Sequence, residues 1–200
     1  LPIEHDSKVL DTSCGSGGFL LYALNKVRNK ASELYPNYSK DVRQYDRWFK
    51  YWHDFAEKNL YGIEISEQIS RAAKMNMIIH DDGHTNVITS DGLVSDETII
   101  NKTNNQGFKY GTFDFIITNP PFGSTVRQSE QAYLKTYQLG KKEEDWLAVA
   151  TPPQNIRDGQ STEVLFIEQD YKFLKEGGFL AIVLPDGILT NSSMQYVRTQ

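Results

Sequence analysis

The sequence predicts an α/β fold with a mostly parallel central sheet flanked by helices. Short apolar runs alternate with amphipathic stretches of helical length, and the first run passes through a glycine-rich turn into an apolar helix. The 200 residues, 39% hydrophobic and 24% charged, suit one globular unit. A first strand falls at 7–11, then a helix at 17–30 that opens into Leu20, Leu21 and Leu24. A second helix at 41–57 sets Tyr45, Trp48, Phe49, Trp52, Phe55 and Ala56 on one broad face. Residues 60–65 alternate as a second strand, and Ser66 caps the next helix, where Ile69, Ala72, Ala73 and Met77 share a side. Strands follow at 86–90 and 113–118, then a helix at 162–175 carrying Leu165, Phe166, Ile167 and Leu174, and a last strand at 179–184. No internal repeat interrupts this series.

Two turns carry chemistry. Asn119-Pro120-Pro121-Phe122 follows the apolar run Phe113 to Thr118. Proline lacks an N–H and fixes its own φ, so this turn is stiff and polar at its tip. The Asn119 side-chain oxygen and the Pro120 carbonyl suit the two hydrogens of a planar exocyclic amine, whose lone pair they would release from the ring. Phe122 offers a face for a base to stack on. The other turn, Asp11-Thr12-Ser13-Cys14-Gly15-Ser16-Gly17-Gly18-Phe19, permits close approach of backbone to a ligand. It lacks the Gly-x-Gly-x-x-Gly spacing of a pyrophosphate site, and Asp11 repels phosphate while attracting an ammonium group. A ligand with a cationic amino acid part, such as S-adenosylmethionine, fits better.

On these residues the chain resembles the catalytic domain of the DNA adenine-N6 methyltransferases, most closely the modification subunit of type I restriction systems. The matches keep family order: Asp11 to Leu20, Leu60 to Ile65, Ser90-Asp91-Gly92-Leu93, Asn119 to Phe122, and Glu163 through Gly187. The resemblance implies a Rossmann-like, S-adenosylmethionine-dependent fold and transfer of a methyl group to N6 of a flipped adenine. It implies a catalytic set Asn119, Pro120, Pro121 and Phe122. The implied cofactor set is Asp11, Cys14, Gly15, Ser16, Gly17, Gly18, Phe19, Glu64, Ile65, Asp91 and Leu93. Within it Glu64 would hold the ribose hydroxyls, Asp91 the adenine amino group, and Ile65 and Leu93 the adenine faces, while Phe19 would border the methyl group or serve the core.

The chain departs from the family at Thr12, where proline is usual, and at Ser13, where a small apolar residue or threonine is common. Asp11 and Glu64 lie further apart than the roughly 20 residues of a minimal dinucleotide fold, so a helical insertion is expected at about 26–58. Its mix of aromatics with Lys and Arg suits base stacking and phosphate contact, or an amphipathic helix packed on the sheet, which is the expected reading. The chain reads as one partial catalytic domain, an excerpt of a larger protein truncated at both ends. A polar region at about 123–160 either closes over a flipped base or is solvated. Within it Arg127 and Arg157 are candidates for phosphate contact or ordinary surface charges.

A net charge of −5 opposes duplex binding by the domain itself. The resemblance implies partners that hold the DNA, namely a specificity subunit and, with it, a restriction subunit. One cysteine excludes a disulfide framework, and no apolar stretch suits a membrane span, so a cytoplasmic protein without a membrane partner is expected. The four histidines are not spaced as metal ligands, so no metal is expected, and Asp81 to His84 reads as a polar turn. No cysteine stands beside a proline as cytosine-C5 chemistry requires. Two alternatives stay open: a glutamine-N5 protein methyltransferase, which uses a similar Asn-Pro-Pro turn, and a noncatalytic assembly module.

Overall fold

The computed structural model describes residues 1–80, 86–127, 132–142 and 155–199. The polar turn expected at Asp81 to His84 lies outside the described residues, as does much of the stretch between Arg127 and Asn155. In chain order the elements begin with β1 (Val9–Asp11), α1 (Gly18–Leu34), α2 (Val42–Asn59), β2 (Leu60–Glu64) and α3 (Glu67–Ile79). Next come β3 (Asn86–Thr89), α4 (Asp96–Thr103), β4 (Phe113–Thr118), β5 (Thr125–Arg127), β6 (Lys141–Lys142), β7 (Asn155–Ile156) and β8 (Gly159–Ser161). The series closes with α5 (Thr162–Phe173), β9 (Leu174–Ile182), α6 (Asp186–Thr190) and α7 (Gln195–Arg198).

Five parallel strands form the central sheet in the order β3-β2-β1-β4-β9. Because side chains alternate across a strand, Val9, Leu60 and Ile117 face one helical layer, where Leu24, Val27, Trp52 and Phe55 are buried. Leu10, Ile63 and Ile116 face the other, beside Ile99 of α4 and Phe173 of α5. Phe113 and Phe115 fall in different layers despite their even spacing, since the register of β4 on β9 shifts between them. The chain reverses direction across the sheet at β1, with β2 on one side and β4 on the other. In open α/β sheets that is where the strand ends part and ligands enter.

The five expected strands are all present; the one at 113–118 has its expected bounds, and the other four have shifted ends. The helix expected at 162–175 stops at Phe173 because Leu174 pairs with Phe113, and this starts β9 earlier than expected. The Ser66 side chain accepts from Ile69 N as a cap does. The second expected helix turns Trp52, Phe55 and Ala56 inward, and Tyr38 stacks on Trp48 at 4.4 Å while the Arg28 guanidinium lies over Trp52. Helix α4 was not expected, although Ser95 caps it and Asp96 and Glu97 stand in its first turn, where the helix dipole favours acids. Parts of the 123–160 region form ordered elements: β5 pairs antiparallel with β8, and Leu134 and Tyr137 are buried with Leu93 and Phe166. Among the described residues no helix is long and apolar enough to cross a membrane, and no group of His, Cys, Asp and Glu side chains gathers to hold a metal.

One glycine sets a tight approach between the second layer and the site. A Cβ on Gly92 would run into the Thr12 carbonyl and come 3.0 Å from the Phe166 ring. Gly92→Ala is therefore expected to destabilise the protein by about 2 kcal/mol, as overpacking does. Gly187→Ala, which meets open space in α6, should be neutral or slightly stabilising. Urea denaturation of the two variants checks both signs.

Candidate functional site

The C-terminal ends of β1, β2 and β4 and the loop after β3 enclose two adjoining hollows. The first, about 410 Å³, is bordered by Glu64, Ile65, Asp91, Leu93 and Pro121, with Tyr133 and Phe166 behind. The second, about 660 Å³, is bordered by Asp11, Gly15, Ser16, Gly18, Phe19 and Tyr22. Ser13 and Asn119 border both. Both volumes lie in the range of small-molecule sites.

The loop after β1 is shaped by its glycines. Gly15 has φ +54° and Gly17 has φ +89°, conformations that L side chains rarely adopt, and the turn they form starts α1. Gly17 borders neither hollow and faces Ala73 and Met77. The Cys14 side chain is 5% exposed and sits in the core below the loop, with Sγ close to Gly62. Burial pushes its thiol well above the ordinary range, so it stays protonated. Phe19, 36% exposed, and Tyr22 leave ring surface at the second hollow.

Acidic side chains ring the two spaces. Asp11 is buried at 2% exposure; its Oδ1 accepts from Ser13 N at 3.1 Å and from the Thr118 hydroxyl at 2.8 Å. Burial raises its pKa to about 7, and nearby Glu64 adds to the rise, while those two donors oppose it. Glu64 Oε2 accepts from Gly15 N at 3.0 Å and Oε1 from Ser66 N at 2.8 Å, so each oxygen keeps one further lone pair for a ligand. Asp91 Oδ1 accepts from Leu93 N, and Oδ2 accepts from the Tyr133 hydroxyl at 2.7 Å. Ile65 is exposed beside Glu64, whereas Leu93 is mostly buried.

Asn119 stands at the end of β4, exposed, with no hydrogen bond to its side chain among the described residues. Pro120 is buried behind it, Pro121 borders the first hollow, and Phe122, 46% exposed, borders neither. The tip of the turn is thus an amide held by a rigid backbone and free to meet a ligand from either space.

Four further residues support the site and were not picked out from the sequence. Thr118 joins Ser13 to Asp11. Asp170, fully buried on α5, accepts from the Thr12 hydroxyl at 2.7 Å, and burial pushes its carboxyl far above the usual carboxylate range. Gln169 donates to the carbonyls of Gly92 and Val94 and accepts from the Tyr110 and Tyr137 hydroxyls, which braces the loop carrying Asp91. Tyr133 reaches Asp91 itself. A polar Gln-Asp pair inside the apolar run of α5 was the one signal available for the middle two.

Comparison with known proteins places this geometry among relatives. The profile of the family described as N-6 DNA methylase matches residues 2–198. The type II restriction enzyme and methyltransferase RM.BcgI of Heyndrickxia coagulans is 27% identical over 96% of this chain and 22% of its own length. The type I restriction enzyme EcoEI methylase subunit of Escherichia coli is 26% identical over 90% of this chain and 28% of its own. This chain thus spans about a quarter of these relatives. Among solved structures, the type I restriction-modification methyltransferase subunit from Streptococcus thermophilus superposes with a TM-score of 0.56 at 20% identity, covering 96% of this chain and 32% of that one. The M protein of the type I enzyme EcoKI superposes with a TM-score of 0.55 at 22% identity, covering 94% and 32%. At these identities the structural likeness speaks for the fold.

Proposed function

Since the chain belongs to the N-6 DNA methylase family, we propose that it is the catalytic part of a modification subunit that transfers a methyl group from S-adenosylmethionine to N6 of an adenine flipped out of DNA. The observation that carries the reading is the position of Asn119: an amide on a diproline turn, without a hydrogen-bond partner among the described residues, at the wall shared by two ligand-sized hollows.

The donor set fits the cofactor. Asp11 opens into the second hollow as an acceptor for an ammonium group. Glu64 and Asp91 keep lone pairs toward the first, suited to ribose hydroxyls and to an adenine amino group, with Ile65 and Leu93 beside them. Among the described residues no basic side chain borders either hollow, so a phosphate-bearing nucleotide would find no side-chain counter-charge there. Bound there, S-adenosylmethionine supplies a methyl group on a positively charged sulfur that leaves readily. Asn119 Oδ1 and the Pro120 carbonyl would accept hydrogen bonds from the two N–H groups of the target amine and free its lone pair for attack, after which the methylated nitrogen gives up one proton to solvent. The fixed φ of both prolines keeps that grip from relaxing, so orientation carries the rate. Phe122 gives the extruded base a ring to stack on.

The acidic balance of the chain supports a hold on the duplex by partners. We take these to be a specificity subunit and, where cleavage accompanies modification, a restriction subunit; the curated relative from Escherichia coli is itself named a methylase subunit. The test is labelled methyl transfer by the full-length protein, with and without its neighbouring subunit. Label on adenine N6 that depends on the partner is expected. Label on a protein glutamine, or cofactor binding without any transfer, overturns the reading.

A further inference from the structure

We infer that Thr118 is a positioning residue of the cofactor site: the hydroxyl chain from Ser13 through Thr118 to Asp11 holds that carboxylate in place as an acceptor and ties it to the turn carrying Asn119. The inference rests on the reading of Asp11 as partner of the cofactor's ammonium group. Thr118 is fully buried, and its single hydroxyl proton goes to Asp11 Oδ1 at 2.8 Å. Ser13 Oγ, 2.8 Å from Thr118 Oγ1, therefore donates to Thr118. Successive hydroxyls in a low-dielectric interior polarise one another, so the last donor in the chain is the strongest. Ser13 borders both hollows, so the chain begins at the ligand surface and ends on the buried acid.

Two features make this more than a packing detail. Thr118 is bonded by its peptide to Asn119, so whatever fixes its side chain fixes the start of the catalytic turn. Thr12 and Ser13, neighbours in the loop after β1, both carry hydroxyls, and both hydroxyls enter the network. Ser13 feeds Thr118, and Thr12 donates to Asp170 on α5. Among the described residues the titratable groups facing Asp11 are Glu64 at the end of β2, Asp170 on α5 and the Cys14 thiol of its own loop. None brings a positive charge, which leaves the Thr118 hydroxyl and Ser13 N as the donors that favour the ionised acid.

Calorimetric titration of the intact protein with S-adenosylmethionine, from about pH 5.5 to about pH 9, tests the inference. Wild-type affinity should fall as pH drops through about 7, where Asp11 takes up its proton. Thr118→Val keeps the shape of the side chain and removes the donor, so its midpoint should move up by about one pH unit. Its affinity should then be about fivefold lower at pH 7 and near wild type at pH 9. Thr118→Ser should restore the wild-type profile, and Ser13→Ala should shift it the same way by less. A Thr118→Val profile superimposable on wild type, or a wild-type affinity flat across this range, overturns the inference while leaving the functional reading intact. No cofactor binding by the intact wild-type protein at any pH would end the functional reading, and this inference with it. Should Thr118→Val not fold, Ser13→Ala carries the test alone, and an unshifted profile for it overturns the inference.

Discussion

Asn119→Ala in the full-length protein, assayed with its partner, is expected to lower single-turnover methyl transfer by at least about 10²–10³-fold, the loss found when one preorganised polar group is removed from a reacting centre. Cofactor affinity should stay within about threefold, and stability within about 0.5 kcal/mol, as for other surface truncations. The separation of these effects follows from the surroundings of the side chain. It is exposed and makes no hydrogen bond among the described residues, so its removal strands no buried partner. It borders both hollows at their shared wall, while on the proposed reading Asp11 in one and Glu64 and Asp91 in the other supply the polar contacts to the cofactor. Asn119→Asp keeps acceptor oxygens at the tip of the turn and should retain more activity than the alanine variant. Rapid-quench measurement of labelled transfer, with calorimetry of cofactor binding on the same preparations, checks all three. Equal rates for wild type and Asn119→Ala would remove the assigned role.

The sheet could be read from the sequence because its strands announce themselves by local means. Phe113 to Thr118 is an apolar run closed by two prolines, and Leu60 to Glu64 is fully buried between β1 and β3. The tips of these strands carry the polar residues of the site, since side chains at strand ends meet solvent and ligand first. What could not be read is what holds those tips. Asp170 lies 158 residues along the chain from Thr12, and Gln169 lies 77 from Gly92; only the packing of α5 on the sheet brings each pair together. Tyr133 lies in a polar stretch without periodicity, and its contact with Asp91 depends on a hydrophobic cluster of Leu93, Val126, Leu134 and Phe166 drawn from four separate segments. Helix α4 was missed for a different reason. It is short and only Ile99 is buried, so the apolar signal is faint although its cap and its first-turn acids are regular. Local rules therefore pointed to the strand ends that border the two hollows, while the contacts that brace those ends come from residues distant in sequence.

Asp11→Asn should weaken cofactor binding and yet raise the melting temperature at pH 8, because the carboxylate is held in the fold against its own preference. Burial lifts its pKa to about 7, well above the ordinary carboxylate value. A folded-state pKa above the unfolded one means that the native protein binds the proton more readily. The penalty for ionising Asp11 is thus absent at pH 4, grows as pH rises toward 7, and is present in full at pH 8. Asparagine presents the same shape, and its carbonyl can still accept from Ser13 N and the Thr118 hydroxyl, without a charge to desolvate. A shift of about three pH units sets the scale of the gain at about 4 kcal/mol as an upper bound. A rise of about 5–10 °C in melting temperature at pH 8, with little change at pH 4.5, is the expected result. On the proposed reading the same substitution removes the partner of the cofactor's ammonium group, for which a loss of about 10²-fold in affinity is expected, together with loss of the pH dependence near 7. Thermal unfolding at the two pH values and calorimetry across the range read the two effects separately. If the variant melted lower than wild type at pH 8 while its cofactor affinity held, Asp11 would be a structural anchor of the loop and the ammonium site would have to lie elsewhere.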